Sequence, residues 1–211
     1  MRIALIHALK HSVPAIEEAF TRLWPEAVLA NLLDDSLSAD LAREGVLTPA
    51  MHRRFLTLAR YAASCGADGI LFTCSAFGPC IEAVAQRHAG MPVLKPNEAM
   101  LAEAGAGSGK LGLIATFEPT LQSMPAEFPD HVELELALAA GALEALNQGD
   151  AARHDELIAQ QARALQQRGC TRIALAQFSM ARARAACEAA AGLPVLTAVD
   201  GAITRLRARL S

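Results

Sequence analysis

The chain has 211 residues, a formal net charge of −3 and 53% hydrophobic residues. That length can bury a sizeable core as one domain or as two halves of roughly 100 residues each, and no basic run or aromatic ladder points to nucleic acid. No stretch approaches the ~18 uninterrupted apolar residues of a membrane span, and five scattered cysteines do not form a secreted disulfide framework.

These features predict a cytoplasmic protein with free thiols, a small-molecule partner, no nucleic-acid partner and no membrane. Arg2–Leu9 reads as a buried β run, without the small-residue cleavage site of a signal peptide. His11, Ser12 and Pro14 end it and open a helix over about Val13–Trp24. His7 lies late in that strand, near its carboxyl edge. Ala27–Leu33 is a second strand, followed by Asp34-Asp35-Ser36, read as solvated turn formers. No His or Cys accompanies the two aspartates at ligand spacing, so no metal site is expected. Thr48-Pro49 opens a helix with Met51, Phe55, Leu58, Ala59 and Ala62 on one face, and Gly66 stops it.

The stretch Gly66–Cys80, GADGILFTCSAFGPC, then reads as a short strand over Gly69–Thr73, a turn, and a helix that Pro79 starts and His88 ends. It brings Cys74 to the carboxyl end of a strand, where open α/β sheets bind ligands, and next to helix amides that favour an anion or a thiolate. Cys74 is the leading candidate for a reactive group; the plainer alternative is a small buried hydrophobe. Cys80, six residues on, lacks the spacing of a redox pair and reads as a packed thiol.

Met91–Leu94 is a further strand, leading through Lys95-Pro96-Asn97 into a helix to about Ala104. Asn97 and Glu98 stay outside the catalytic set, since Glu98 suits the first turn of that helix. Gly105–Lys110, GAGSGK, fails the Walker spacing and precedes a strand, Leu111–Ala115, so it reads as a flexible connector.

Beyond the connector the pattern repeats. RIALIHAL at Arg2–Leu9 is echoed by KLGLIATF at Lys110–Phe117, and Ala59–Gly78 aligns without a gap on Ala162–Ala181. MPVLKPNEAM, from Met91, matches the segment beginning at Leu193. Alternating strands and helices predict parallel sheets covered by helices. The fold class is therefore α/β, with two pseudo-symmetric parallel-sheet halves, 1–104 and 105–211, and an active-site cleft between them. The C-terminal helix is left free to pack back on the first half. In this register Cys74 corresponds to Gln177.

Two such halves, with TCSAFG at Thr73–Gly78, LGLIATF at Leu111–Phe117, LAQFSMA at Leu175–Ala181 and the closing PVL segments, resemble the aspartate/glutamate racemase superfamily. That superfamily also holds hydantoin racemases, maleate isomerases and arylmalonate decarboxylases. The resemblance implies catalysis without a cofactor, dimers more often than monomers, and one cysteine from each half acting on opposite sides of a substrate α-carbon. Cys74 matches the first cysteine, whereas Gln177 stands at the second, and a glutamine cannot serve as a base near neutral pH. Cys170 and Cys187 do not replace it: one precedes the strand and the other lies well into the next helix.

One thiol plus an anion cradle still permits two chemistries. A decarboxylase-like enzyme protonates one face of an enediolate, and an isomerase-like enzyme adds a thiolate to a double bond and expels it. The catalytic candidates are Cys74 and Gln177. The substrate-binding candidates are His7, Ser75, Thr116 and Ser179, with a helix cap or turn as the alternative role for the hydroxyls.

Two functions follow. The first is a cofactor-independent isomerase, racemase or decarboxylase of a small carboxylate, working with a single cysteine. The second is a binding or regulatory protein that kept the cleft and lost the chemistry; a depressed Cys74 pKa argues against it and a raised one for it. Alanine-rich Ala181–Ala191 offers a close-packing face for a homodimer.

Overall fold

In the computed structural model, which describes residues 1–211, two four-stranded parallel sheets have the same strand order. The first comprises β1 (Arg2–His7), β2 (Val28–Leu33), β3 (Gly69–Phe72) and β4 (Val93–Leu94), ordered β2-β1-β3-β4. Its helices are α1 (Ser12–Leu23), α2 (Ser36–Glu44), α3 (Pro49–Ser64) and α4 (Gly78–Arg87). β1 and β3 lie in the middle of the sheet and are apolar on both faces, which is why they read as continuous hydrophobic runs.

α3 starts where Thr48 accepts a hydrogen bond from Met51 N–H, at 3.3 Å, with Pro49 in the first turn. Its buried Met51, Phe55, Ala59 and Ala62 form the stripe read from the sequence. Phe55 stacks on Phe72 of β3 with ring centroids 5.2 Å apart, so Phe72 faces α3. Gly69, at the other parity of the strand, faces Leu206 and Leu210 of the C-terminal helix Val199–Leu210. That helix is fastened by Arg22 to Asp200 at 2.7 Å, by Arg207 donating to Leu23 C=O at 2.9 Å, and by Arg207 lying over the Trp24 ring.

The second sheet comprises β5 (Leu111–Ala115), β6 (Leu134–Leu138), β7 (Arg172–Leu175) and β8 (Val195–Thr197), ordered β6-β5-β7-β8. Its helices are α5 (Glu98–Ala106), α6 (Glu118–Ser123), α7 (Ala142–Asn147), α8 (Ala151–Gln167) and α9 (Arg184–Ala191), and the C-terminal helix is α10. Ile158, Ala162 and Leu165 of α8 pack with Ile114, Ile173 and Leu175 of the strands. Ala183 and Cys187 are buried in the same core, with Ala186 and Ala191 against it, so part of the alanine-rich face is already in use.

By contacts the chain divides into Met1–Glu98 with Val199–Ser211, and Ala99–Ala198. The division falls N-terminal to the 104/105 boundary because the end of α5 is tied to the second unit. Arg172 donates to Ala104 C=O at 3.0 Å, and His131 hydrogen-bonds Gly105 C=O at 2.9 Å. These bonds also revise the flexible-connector reading. Gly105 and Ala106 are helical, and a Cβ on Gly107 would fall 2.0 Å from the Arg172 guanidinium. No helix is long and apolar enough to cross a membrane.

The ungapped repeat holds element by element: α3 ends at Ser64 and α8 at Gln167, and β3 begins at Gly69 and β7 at Arg172. Both helices stop on a left-handed glycine, Gly66 at φ +74 and Gly169 at φ +85. Each is followed by an amide bonded back into the last turn, Ala67 to Ala62 C=O and Cys170 to Leu165 C=O. Gly66→Ala and Gly169→Ala should therefore each lose about 1 kcal/mol of stability by urea unfolding, the left-handed penalty of an L residue.

Candidate active site

In each half the first and third strands end level with one another. Pairing runs to Ile6 with Phe72 and to Ile114 with Leu175, and Thr73 N–H and Ala176 N–H extend it to Ile6 C=O and Ile114 C=O at 3.1 and 2.9 Å. One step further along, His7 lies beside Thr73 and Ala115 beside Ala176. The next step brings Ala8 beside Cys74 and Thr116 beside Gln177.

Cys74 is extended, at φ −123 and ψ 118, and continues the strand before a tight turn over Ser75–Phe77 leads into α4. Strand alternation sends it to the face opposite Thr73. It is partly buried, with the Ala76 N–H and the Ser38 hydroxyl as hydrogen-bonding neighbours. Burial pushes the thiol up to about 11, and Ala76 and Ser38 pull it only part of the way back. The depressed thiol that would argue for catalysis is therefore absent from the free protein. At neutral pH Cys74 is a thiol, which is a proton donor rather than a base.

Ser38 had no place in the sequence reading because α2 itself was not read. Its hydroxyl donates to Ala8 C=O at 2.6 Å, across the strand end from Cys74. α2 is fixed by Arg54 of α3, whose guanidinium reaches Asp40 at 2.6 Å and grips both oxygens of Asp34. Asp34 is thus an ion-pair partner and not a solvated turn former. Burial pushes its carboxyl up, but Arg54 and Ser36 outweigh this and hold it below the usual range.

Gln177 is extended like Cys74 and 8% exposed. Its Oε1 accepts from Thr116 N–H at 2.7 Å and from the Thr116 hydroxyl at 3.1 Å. The carbonyl oxygen is therefore occupied, and the amide NH2 is the group left for a ligand. Ser75 and Ser179 are each 2% exposed, and their hydroxyls find no partner within the protein. Neither supplies a side-chain cap to the helix that follows.

His7 departs most from expectation. It is fully buried, with Nδ1 2.8 Å from Thr73 Oγ1 and Nε2 2.9 Å from Asn31 Oδ1, so neither ring nitrogen is left for a substrate. Cys80 and Cys187 are buried, with thiols pushed up to about 12, and Cys170 is buried and raised as well, all by desolvation. Glu98 accepts from Lys95 N–H at 3.3 Å and from Arg205 at 2.8 Å, a structural role at the start of α5. No group of three His, Cys, Asp or Glu side chains converges as a metal site would require.

A family model described as Asp/Glu/Hydantoin racemase matches residues 6–206. The chain belongs to this racemase family. No curated protein matches it significantly in sequence. Among solved structures, glutamate racemase from Francisella tularensis subsp. tularensis SCHU S4 superposes with a TM-score of 0.79 at 12% identity, over 99% of this chain and 80% of that one. Allantoin racemase from Klebsiella pneumoniae gives 0.67 at 18% identity, over 99% and 86%. A variant of arylmalonate decarboxylase gives 0.65 at 16% identity, over 100% and 93%. At these identities the superpositions establish a shared fold of two similar halves.

The raised thiol makes a direct prediction. With the exposed Cys65 replaced by serine, iodoacetamide labelling of Cys74 should be slow at pH 7 and rise about tenfold per pH unit up to pH ~10 without a plateau, as thiolate forms. Ser38→Ala should slow it further at every pH in that range. Mass spectrometry of the Cys74 peptide measures both.

Proposed function

We propose that this family member is an isomerase, racemase or decarboxylase of a small carboxylate that uses Cys74 as its only acid/base or nucleophilic thiol. The observation that carries this reading is the inequivalence of the two strand ends. Cys74 offers a protonated thiol, whereas Gln177 has its oxygen bound by Thr116 and offers only amide hydrogens. Symmetric two-thiol racemisation needs a base on one side and an acid on the other, and an amide is neither.

One-sided protonation suits this pair better. The Cys74 thiol delivers its proton to one face of the enediolate left when the substrate loses carbon dioxide, and the thiolate then recovers a proton from solvent. The Gln177 amide and the hydroxyls of Ser75 and Ser179 donate to the substrate carboxylate, with Thr116 holding Gln177 in place. A buried hydroxyl without a partner costs about 1–3 kcal/mol, and a carboxylate acceptor at Ser75 and Ser179 would recover it. Work without a cofactor and assembly as a homodimer belong to the same proposal. Light scattering at micromolar concentration that returns the 22.3 kDa monomer mass rejects the dimer.

The raised thiol is the direction that argues for a carboxylate-binding protein without chemistry, and one set of measurements separates the two readings. Small mono- and dicarboxylates that raise the melting temperature identify ligands, and turnover is then sought with those. In an enzyme, Cys74→Ala should keep the thermal shift and lose turnover by about 10²–10⁴-fold, the usual contribution of a general acid. Gln177→Cys should introduce exchange of the α-proton with deuterated solvent, followed by NMR, and erode the stereochemical purity of the product. Full turnover by Cys74→Ala overturns the assignment; thermal shifts with no turnover for any ligand favour the binding protein.

A further inference from the structure

Behind Cys74, on the opposite face of the first sheet, four polar side chains join in a line. Glu17 of α1 accepts from Asn31 Nδ2 at 2.7 Å, Asn31 Oδ1 lies 2.9 Å from His7 Nε2, and His7 Nδ1 lies 2.8 Å from Thr73 Oγ1. We propose that Glu17, Asn31 and His7 are positioning residues that lock the Thr73 hydroxyl, and through it the peptide that carries Cys74, in a single arrangement. This rests on the reading of Cys74 as the reacting group.

The direction of every bond follows from the first. A carboxylate only accepts, so the Asn31 amide turns its NH2 to Glu17 and its oxygen to His7. His7 Nε2 must then carry the proton, and a neutral ring leaves Nδ1 as an acceptor. Thr73 has a single hydroxyl proton and must give it to Nδ1. Its alternative acceptor is Ile6 C=O at 3.5 Å, which it reaches only weakly.

Neutrality of the ring is built in by its full burial. Desolvation lowers the His7 pKa, and the opposing pulls of the Asn31 hydrogen bond and the Glu17 charge are smaller. Glu17 is the charged group that acts on the ring; its partners from β2 and after β3 are uncharged. An imidazolium would donate from both nitrogens, expel the Thr73 proton toward Ile6 C=O and loosen the strand end. The chain does not relay protons, because an amide interrupts it.

The second half shows that this is an addition rather than a requirement of the fold. The positions level with His7 and Thr73 there are Ala115 and Ala176, both buried and apolar, and β5 and β7 still pair to the same length. The polar line occurs only where the strand end carries a thiol.

The test reads the chain without any substrate. In the Cys65→Ser protein, ¹⁵N NMR should find His7 neutral at pH 7 with the proton on Nε2. Thr73→Val, which removes the hydroxyl at constant shape, should speed iodoacetamide labelling of Cys74 by about fivefold, the factor represented by one hydrogen bond of ordinary net strength. Thr73→Ser should restore the wild-type rate. Asn31→Ala, on the exposed edge strand, serves where Thr73→Val fails to fold, and should release the ring into a mixture of tautomers with a similar rise in labelling. A ring protonated on Nδ1 in the wild type, or unchanged labelling in both Thr73→Val and Asn31→Ala, overturns the proposal. Retained turnover in Cys74→Ala would instead remove the role of Cys74 and leave these outcomes untouched.

Discussion

The constraint on which the rest depends is the pairing of the first and third strands in each half. Parallel strands buried on both faces satisfy their own backbone, but where pairing stops the next residues must find partners or face a ligand. Both halves close this gap with a side-chain bond between the two strand ends, and they do so one residue apart. The first half uses His7 and Thr73, and the second uses Thr116 and Gln177. Because side chains alternate along a strand, that single step moves the bond to the other face of the sheet.

The side chains at the two matching positions differ accordingly. With the bond made at Thr73, the side chain at 74 takes no part in it. With the bond made at Gln177, the side chain at the matching position is itself the tether and retains only its amide hydrogens. A glutamine at this point is therefore more than a lost cysteine. It is held by two donors from one threonine, and this fixes the direction of the amide it presents.

Most of the architecture was legible because it is carried by local apolar pattern. The alignment of Ala59–Gly78 on Ala162–Ala181 needs no structure, and it placed β7, the end of α8 and the level of Gln177. α2 was missed for a physical reason. Its sequence, SLSADLARE, buries only Leu37 and Leu41, and its order comes from Arg54, a residue of the next helix. Ser38 was lost with it. His7 could be placed at the strand end but not given its role, since its partners come from β2 and from the residue after β3, and Glu17 from α1. Hydrogen bonds across elements leave no periodic trace in a chain, and this is why the Asp34 reading also failed.

The state of the thiol is set by charge and burial within the first half alone. A resting thiolate at Cys74 would have the Ala76 N–H and the Ser38 hydroxyl to stabilise it, and these do not offset its desolvation. Any further negative charge brought near Cys74 would raise the thiol again. A symmetric racemase must hold one thiolate ready before each turnover. In this chain burial keeps the Cys74 thiol neutral, and Gln177, at the matching strand end of the second half, carries no group that titrates.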